Sequence, residues 1–201
     1  MSDFIYRYVP GRRPETLLLL HGTGGNENDL LPIGQAVLPE AALLSPRGRV
    51  LENGMPRFFR RLAEGVFDVE DVKARAAELG DFIQQMAVEH AFDPKRVLVF
   101  GYSNGANIAA AMLLTGAARF LRSVLVRPMV PLQPATLPDL TGDEVLLAKG
   151  LYDPLATGAQ TDRLRELLEA SGAKVSEHAS RSGHQMTPGD IEAAAAWLAR
   201  G

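Results

Sequence analysis

The sequence predicts an α/β protein built on a mostly parallel sheet with helices on both faces. Short apolar, strand-like runs alternate along the chain with longer segments of helical periodicity, the order that a parallel sheet and its crossover helices leave in a sequence. A length of 201 residues suits one domain, expected to span 1–201. Hydrophobic residues make up 46% and charged residues 22%, enough apolar surface for a full core.

The elements follow in chain order. Phe4 to Val9, Thr16 to Leu20 and Ala42 to Ser45 are the first three expected strands. Val72, Ala76, Leu79, Ile83 and Met86 recur three and four residues apart, so a helix is expected from about Glu70 to His90. Gly80 inside it costs about 1 kcal/mol relative to alanine. Val97 to Phe100 is the next strand, followed by a turn and the apolar helical run Ala106 to Leu114. After a strand at Val124 to Val126, Pro131, Pro134 and Pro138 make the connection a loop, too short for a large helical lid. Val145 to Lys149 and Val175 to His178 complete the strands, separated by a helix carrying Leu164, Leu167 and Leu168 that Gly172 stops. Ile191, Ala194, Ala195 and Leu198 form a terminal helix, with Thr187 as cap, Pro188 in its first turn and Asp190 as first-turn acid.

Charge and composition narrow the function classes. The formal net charge is −3 and basic residues are dispersed apart from Arg57 and Arg60-Arg61, so no phosphate-tracking face and no nucleic-acid partner are expected. Without cysteine there is no disulfide, thiolate metal site or cysteine nucleophile. The amino terminus, Met-Ser-Asp-Phe-Ile-Tyr-Arg-Tyr, lacks a basic stretch followed by an apolar one, and no segment approaches the ~18 apolar residues of a membrane span. A cytoplasmic protein is expected.

The chemistry concentrates at Gly101-Tyr102-Ser103-Asn104-Gly105, between a strand and a helix. Strand, sharp turn with serine, then helix is a nucleophile elbow: glycines two before and two after let strand and helix close in while the serine Oγ stands clear of the sheet edge. An activated serine needs a base and a third group orienting that base. His184 is the candidate base, because it lies in the loop between the last strand and the capped terminal helix, at the sheet edge that carries Ser103. His178 falls inside a strand, His90 ends a helix where a cation complements the carbonyl dipole, and His21 reads as structural. The segment Leu125 to Pro138 contains no Asp or Glu, leaving Asp153, just past the strand Val145 to Lys149, as the orienting acid. Oxyanion donors are expected from the backbone N–H of Asn104 and from the glycine-rich turn His21 to Gly25, with Thr23 as the donor. That turn has neither G-x-G-x-x-G nor a Gly-Lys-Ser/Thr ending, which argues against a nucleotide. Arg57, Phe58, Phe59 and Met129 are expected to shape the substrate site, the aromatics and Met129 lining an apolar pocket and Arg57 receiving an anionic group.

Six segments in this order, HGTGGNENDLLPIG, SPRGRVLENGMPRFFRRLAEGVFD, GYSNGANIAAAML, RPMVP, GLYDP and SGHQMT, resemble those of the small α/β-hydrolase carboxylesterases grouped with phospholipase/carboxylesterases and acyl-protein thioesterases. The second segment is most similar to a bacterial branch described as hydroquinone-linked carboxylesterases. The resemblance covers nearly the whole chain. It implies an α/β-hydrolase fold with a minimal lid, Ser103, Asp153 and His184 as triad, Thr23 and Asn104 as oxyanion donors, and no metal or organic cofactor. It also implies a small ester as substrate, and homodimers are common among such proteins. Only one strand precedes the HGTGG strand, so the sheet is expected to be trimmed at its amino edge, and Asn104 stands where many relatives carry glutamine. The reading is a serine carboxylesterase acting on short or soluble esters; the alternatives are a thioesterase or lysophospholipase on the same triad, an acyltransferase, or a noncatalytic binding protein on this scaffold.

Overall fold

A computed structural model describes residues 4–200. The first three residues of the amino-terminal stretch, Met1 to Asp3, lie outside them. The elements run β1 (Tyr6–Val9), β2 (Thr16–Leu20), α1 (Leu31–Val37), β3 (Ala42–Pro46), β4 (Val50–Glu52), β5 (Met55–Arg57), β6 (Arg61–Ala63), β7 (Val66–Phe67), α2 (Val69–Glu89), a 3₁₀ turn (Pro94–Arg96), β8 (Val97–Tyr102), α3 (Asn104–Thr115), β9 (Arg122–Val126), β10 (Glu144–Gly150), α4 (Gly158–Ala170), β11 (Lys174–Ser180) and α5 (Pro188–Leu198). Seven strands form one sheet in the order β1-β3-β2-β8-β9-β10-β11. Only β1 is antiparallel to its neighbour. As expected, among the described residues a single strand precedes β2, and it takes the edge of the sheet.

The central strands β2, β8 and β9 are buried at nearly every position and mostly apolar because both faces are covered. Along β2, Leu18 and Leu20 enter the core beneath α2, α3 and α4, while Leu17 and Leu19 enter a second core with α1 and α5 residues. The same alternation sends Val97 and Val99 to the first core and Leu98 and Phe100 to the second. Helix α3 is buried from Asn104 to Leu114, which its all-round small and apolar sequence permits. Gly80 has a packing reason: a Cβ there would come within 2.6 Å of the Ala117 carbonyl oxygen, in the connection after α3. The terminal helix begins with a full capping box, Thr187 accepting from Asp190 N–H and Asp190 accepting from Thr187 N–H.

Three features depart from the sequence reading. Helix α1 is only seven residues long and contains Pro32 and Gly34, too short to register as a periodic pattern. Two small hairpins, β4-β5 and β6-β7, occupy a stretch in which no element was expected. The first turns through Asn53 (φ 51°) and Gly54 (φ 78°), the paired positive φ of a type I′ turn. The segment from Arg127 to Asp143 carries neither helix nor strand, in line with its prolines. Among the described residues no helix is long and apolar enough to cross a membrane.

Candidate active site

Every candidate chemical group sits past the carboxyl end of a strand. Ser103 follows β8, Asp153 follows β10, His184 follows β11 and the glycine-rich turn follows β2. Parallel strands bring these ends to one edge, and the edge holds a cavity of about 500 Å³ lined in part by Thr23, Ser103, Asn104, Met129 and His184.

Ser103 adopts φ 52°, ψ −112°, a conformation that costs a non-glycine residue of order 1–3 kcal/mol. Its N–H donates to Val126 O at 2.8 Å, pinning the turn to β9. The flanking glycines permit it: a Cβ at Gly101 would lie 2.6 Å from Gly105 O, and one at Gly105 would lie 1.9 Å from Leu20 O. Neither position accepts a side chain unless the turn moves.

The structure brings Ser103, His184 and Asp153 into one hydrogen-bonded line. Ser103 Oγ is 2.7 Å from His184 Nε2, and His184 Nδ1 is 2.8 Å from Asp153 Oδ2. The other Asp153 oxygen accepts N–H bonds from Leu155 at 2.8 Å and Ala156 at 3.0 Å, so the buried carboxylate is held by its own turn. Such a line lets the imidazole take the serine proton at Nε2 while its Nδ1–H points at a fixed negative charge. The remaining histidines lie elsewhere. His21 is buried, its Nδ1 against Gly22 O at 2.6 Å and its Nε2 accepting from Gly48 N–H at 3.0 Å, and burial pushes its pKa down. His90 caps α2 and stacks on Tyr8 with ring centroids 3.9 Å apart. The Nε2 of His178 is 3.4 Å from an oxygen of Asp190.

Thr23 and Asn104 both line the cavity. The Asn104 amide lies in the first turn of α3, where no intrahelical acceptor is available, and the Thr23 amide donates to no acceptor among the described residues. The turn bearing Thr23 is fixed from the other side by β5: Gly24 N–H donates to Pro56 O at 2.9 Å, and Arg57 Nη1 donates to Thr23 Oγ1 at 2.6 Å. The side chains of Asn104 and Asn107, one turn apart on α3, accept the backbone N–H of Phe58 and of Met129 respectively, each at 2.7 Å. Asn104 is thus a bracket between the elbow and the segment after β5.

The expected substrate-shaping residues divide. Arg57 and Met129 line the cavity. Phe58 and Phe59 do not, which corrects the expectation for both: they are buried in the core, Phe58 against the His21 ring at 4.7 Å and Phe59 edge-on to Phe67 at 5.1 Å. It is Phe67 that reaches the cavity, with Arg61, Glu64 and Gly65 of the same hairpin.

Arg127 is a residue that sequence reading missed. Its side chain is wholly buried, at a residue with φ 55° directly after β9. Its guanidinium donates to Gly183 O, Gln185 O, Ser180 Oγ, Ser182 Oγ, Ala148 O and both oxygens of Asp190, at 2.7–3.3 Å. The loop carrying His184 is therefore wrapped around one guanidinium and tied to the cap of α5. Burial opposes ionisation of Asp190, but hydrogen bonds from Arg127 and Thr187 outweigh it and hold the carboxyl below the usual carboxylate range. The signals in the sequence are an arginine placed directly after a strand and its place at the head of the RPMVP segment.

Comparison with known proteins decides the family. The phospholipase/carboxylesterase family model matches residues 10–200. The chain belongs to that family. MhqD of Bacillus subtilis (strain 168), a relative whose name calls it a hydrolase, is 48% identical over 190 residues, covering 94% of this chain and 95% of that protein. The Bacillus cereus carboxylesterase structure superposes with a TM-score of 0.96 at 46% identity, over 99% of this chain and 95% of that one. The structure of YahD with malic acid gives a TM-score of 0.93 at 32% identity, over 99% and 98%. The fold is that of an α/β hydrolase, and this family member is a carboxylic ester hydrolase.

Proposed function

We propose that this phospholipase/carboxylesterase family member is a serine esterase that works through an acyl-enzyme on Ser103. The observation that carries the reading is the continuous line from Ser103 Oγ to His184 Nε2 at 2.7 Å and from His184 Nδ1 to Asp153 Oδ2 at 2.8 Å. In acylation the Ser103 proton passes to His184 Nε2 as Oγ bonds to the ester carbonyl carbon. The Thr23 and Asn104 amides receive the oxyanion that forms, a contribution of about 3–4 kcal/mol per donor where such groups have been removed. The carbon–oxygen bond to the alcohol then breaks, and the proton on Nε2 leaves with the alkoxide. Water repeats the sequence on the acyl-enzyme, His184 taking one of its protons, and releases the acid. Asp153 stays ionised throughout and holds the ring with Nδ1–H toward itself.

The cavity of about 500 Å³ is walled in part by the short β6-β7 hairpin, and among the described residues the proline-rich connection after β9 forms no helical lid, which supports short, soluble esters over lipid aggregates. YahD was solved with malic acid, a ligand of the same small, soluble scale. The test is a p-nitrophenyl ester series from acetate to palmitate, run beside Ser103→Ala. Turnover that peaks at short chains and disappears in the variant is expected. Retained activity in Ser103→Ala overturns the nucleophile assignment, and a rate that rises toward palmitate overturns the substrate scale.

A further inference from the structure

Two arginines on the cavity wall share a single carboxylate. Glu52 accepts from Arg61 Nε at 2.8 Å through one oxygen and lies 3.3 Å from Arg57 Nε through the other. Arg60, next in sequence, is turned away and bonded to Asp68. The Arg57 side chain is only 4% exposed; Nε donates to Phe59 O at 3.3 Å and Nη1 to Thr23 Oγ1 at 2.6 Å, which leaves Nη2 as its one uncommitted nitrogen. Among the described residues Nη2 of Arg57 and both terminal nitrogens of Arg61 have no hydrogen-bond partner. Arg57 Nη2 is not among the polar atoms sealed within protein, so this one nitrogen keeps access to solvent, on a side chain that lines the cavity together with Arg61.

Burying a guanidinium is costly unless an anion meets it. Burial, and after it repulsion from Arg61, push the Arg57 pKa down, and Glu52 opposes this only in part. Two cations against Glu52 leave about one positive charge at the wall, matched by one monoanion in the fork geometry that a carboxylate offers. The other acid facing the cavity is Glu64. It sits exposed at the hairpin turn, where water screens it far more than the buried Arg57. The cavity wall also includes Phe67, Met129 and Leu155, apolar groups that suit a short spacer.

We propose that this pocket selects half-esters of short dicarboxylic acids: the ester carbonyl meets Ser103 and the free carboxylate of the acyl chain meets Nη2 of Arg57 and the open terminal edge of Arg61. The proposal rests on the serine-esterase reading. The reaction is the one already written, with Ser103 Oγ bonding to the ester carbon, the alcohol leaving with the His184 proton, and water releasing the dicarboxylic acid. The distal carboxylate takes no part in bond making.

The test measures kcat/KM by pH-stat for monoethyl succinate against its neutral isostere, ethyl 4-methylpentanoate. The expected result is a preference for the half-ester of about tenfold or more, carried in KM. Arg61→Gln should lower that ratio by about tenfold, and Glu64→Gln should raise it severalfold. Arg57→Met should lower the ratio further, and Arg61→Gln decides the matter if the more buried substitution does not fold. A neutral ester hydrolysed as well as the half-ester, or a ratio unmoved in Arg61→Gln, overturns the proposal. So does an equal preference for a carboxylate placed on the alcohol, read from carboxymethyl against ethyl butanoate. Fluorophosphonate labelling of Ser103 separates this from failure of the underlying reading. A chain that labels but does not prefer the half-ester sinks only the substrate class, whereas a folded chain that neither labels nor turns over either ester sinks both.

Discussion

The two sides of the cavity are built in opposite ways. On the side of the chemistry, Ser103, Asp153 and His184 stand on turns that continue strands of the main sheet, and the His184 loop is gripped by a fully buried arginine. On the substrate side, Arg57, Arg61, Glu64 and Phe67 come from two hairpins whose strands are two or three residues long and, apart from the buried Arg57, half-buried or exposed. Bond making needs groups held to within about half an ångström, which rigid sheet edges and second-layer hydrogen bonds provide. Selection among esters needs only a wall of the right shape and charge, and a short hairpin can change that wall without touching the sheet. On the proposed reading the sheet edge carries activity and the hairpins carry selectivity, joined where Arg57 Nη1 meets Thr23 Oγ1 and where Asn104 holds the Phe58 N–H.

The harshest way to break the comparison is at the serine. Ser103→Ala should lower kcat/KM by roughly 10⁴-fold or more, the scale seen when a triad nucleophile is removed, while circular dichroism reports an unchanged fold. Ser103→Gly should be equally inactive yet more stable by on the order of 1 kcal/mol in denaturant melts, because glycine accepts a positive φ freely. A Ser103→Gly variant no more stable than the parent would mean that the elbow stores no strain. Next comes Arg127→Met. Removing one partner of a buried ion pair costs about 3–5 kcal/mol, so the melting temperature should fall sharply. In the protein that remains folded, kcat should drop because the His184 loop has lost its clamp. An equivalent stability loss with kcat intact would make Arg127 a purely structural residue.

Acid should reach the same clamp. The Asp190 carboxyl is held below its ordinary range in the folded state, so the folded chain binds fewer protons there than the unfolded one. Its contribution is complete above the unfolded carboxylate value of about 3.9 and disappears as pH falls through the lower folded value. His21 acts at milder acidity: burial lowers its pKa, so stability contributed by its neutral ring is present above about 6.5 and is lost as pH falls below it. Denaturant midpoints measured from pH 8 to pH 3 should decline in both windows. His21→Gln should flatten the upper window, and an unchanged slope there would count against the neutral, buried ring.

How much of this was legible in the sequence follows the same division. The main-sheet strands and the three longer amphipathic helices announce themselves through periodicity, and Ser103, Asp153 and His184 are readable as neighbours because parallel strands deliver their carboxyl ends to one edge. Arg127 was not legible, since an arginine after a strand ordinarily faces water and nothing local reports the loop that folds over it. Phe58 and Phe59 misled for a geometric reason. Adjacent aromatics were expected on the cavity, but they lie past β5 in a segment bracketed by Asn104, and one meets His21 while the other meets Phe67. The hairpins had a signal in Asn53-Gly54, but flanking strands of three residues give no period to count.

The gentlest test sharpens the comparison within the hairpins themselves. Gly54 and Gly65 are both turn glycines, with φ of 78° and 72°, so an alanine at either costs about 1 kcal/mol of backbone strain. Their surroundings differ. A Cβ at Gly54 meets nothing within 4 Å, whereas one at Gly65 lies 3.6 Å from Met129 Cε, where both residues line the cavity. Gly54→Ala and Gly65→Ala should therefore shift the melting temperature by similar small amounts. Only Gly65→Ala should change KM for short esters, by a few-fold, with kcat nearly constant, because the added methyl alters the wall and leaves the Ser103–His184–Asp153 line alone. If both variants move KM alike, the hairpins act as one mechanical unit; if Gly65→Ala lowers kcat as much as it raises KM, the substrate wall and the chemical edge are coupled after all.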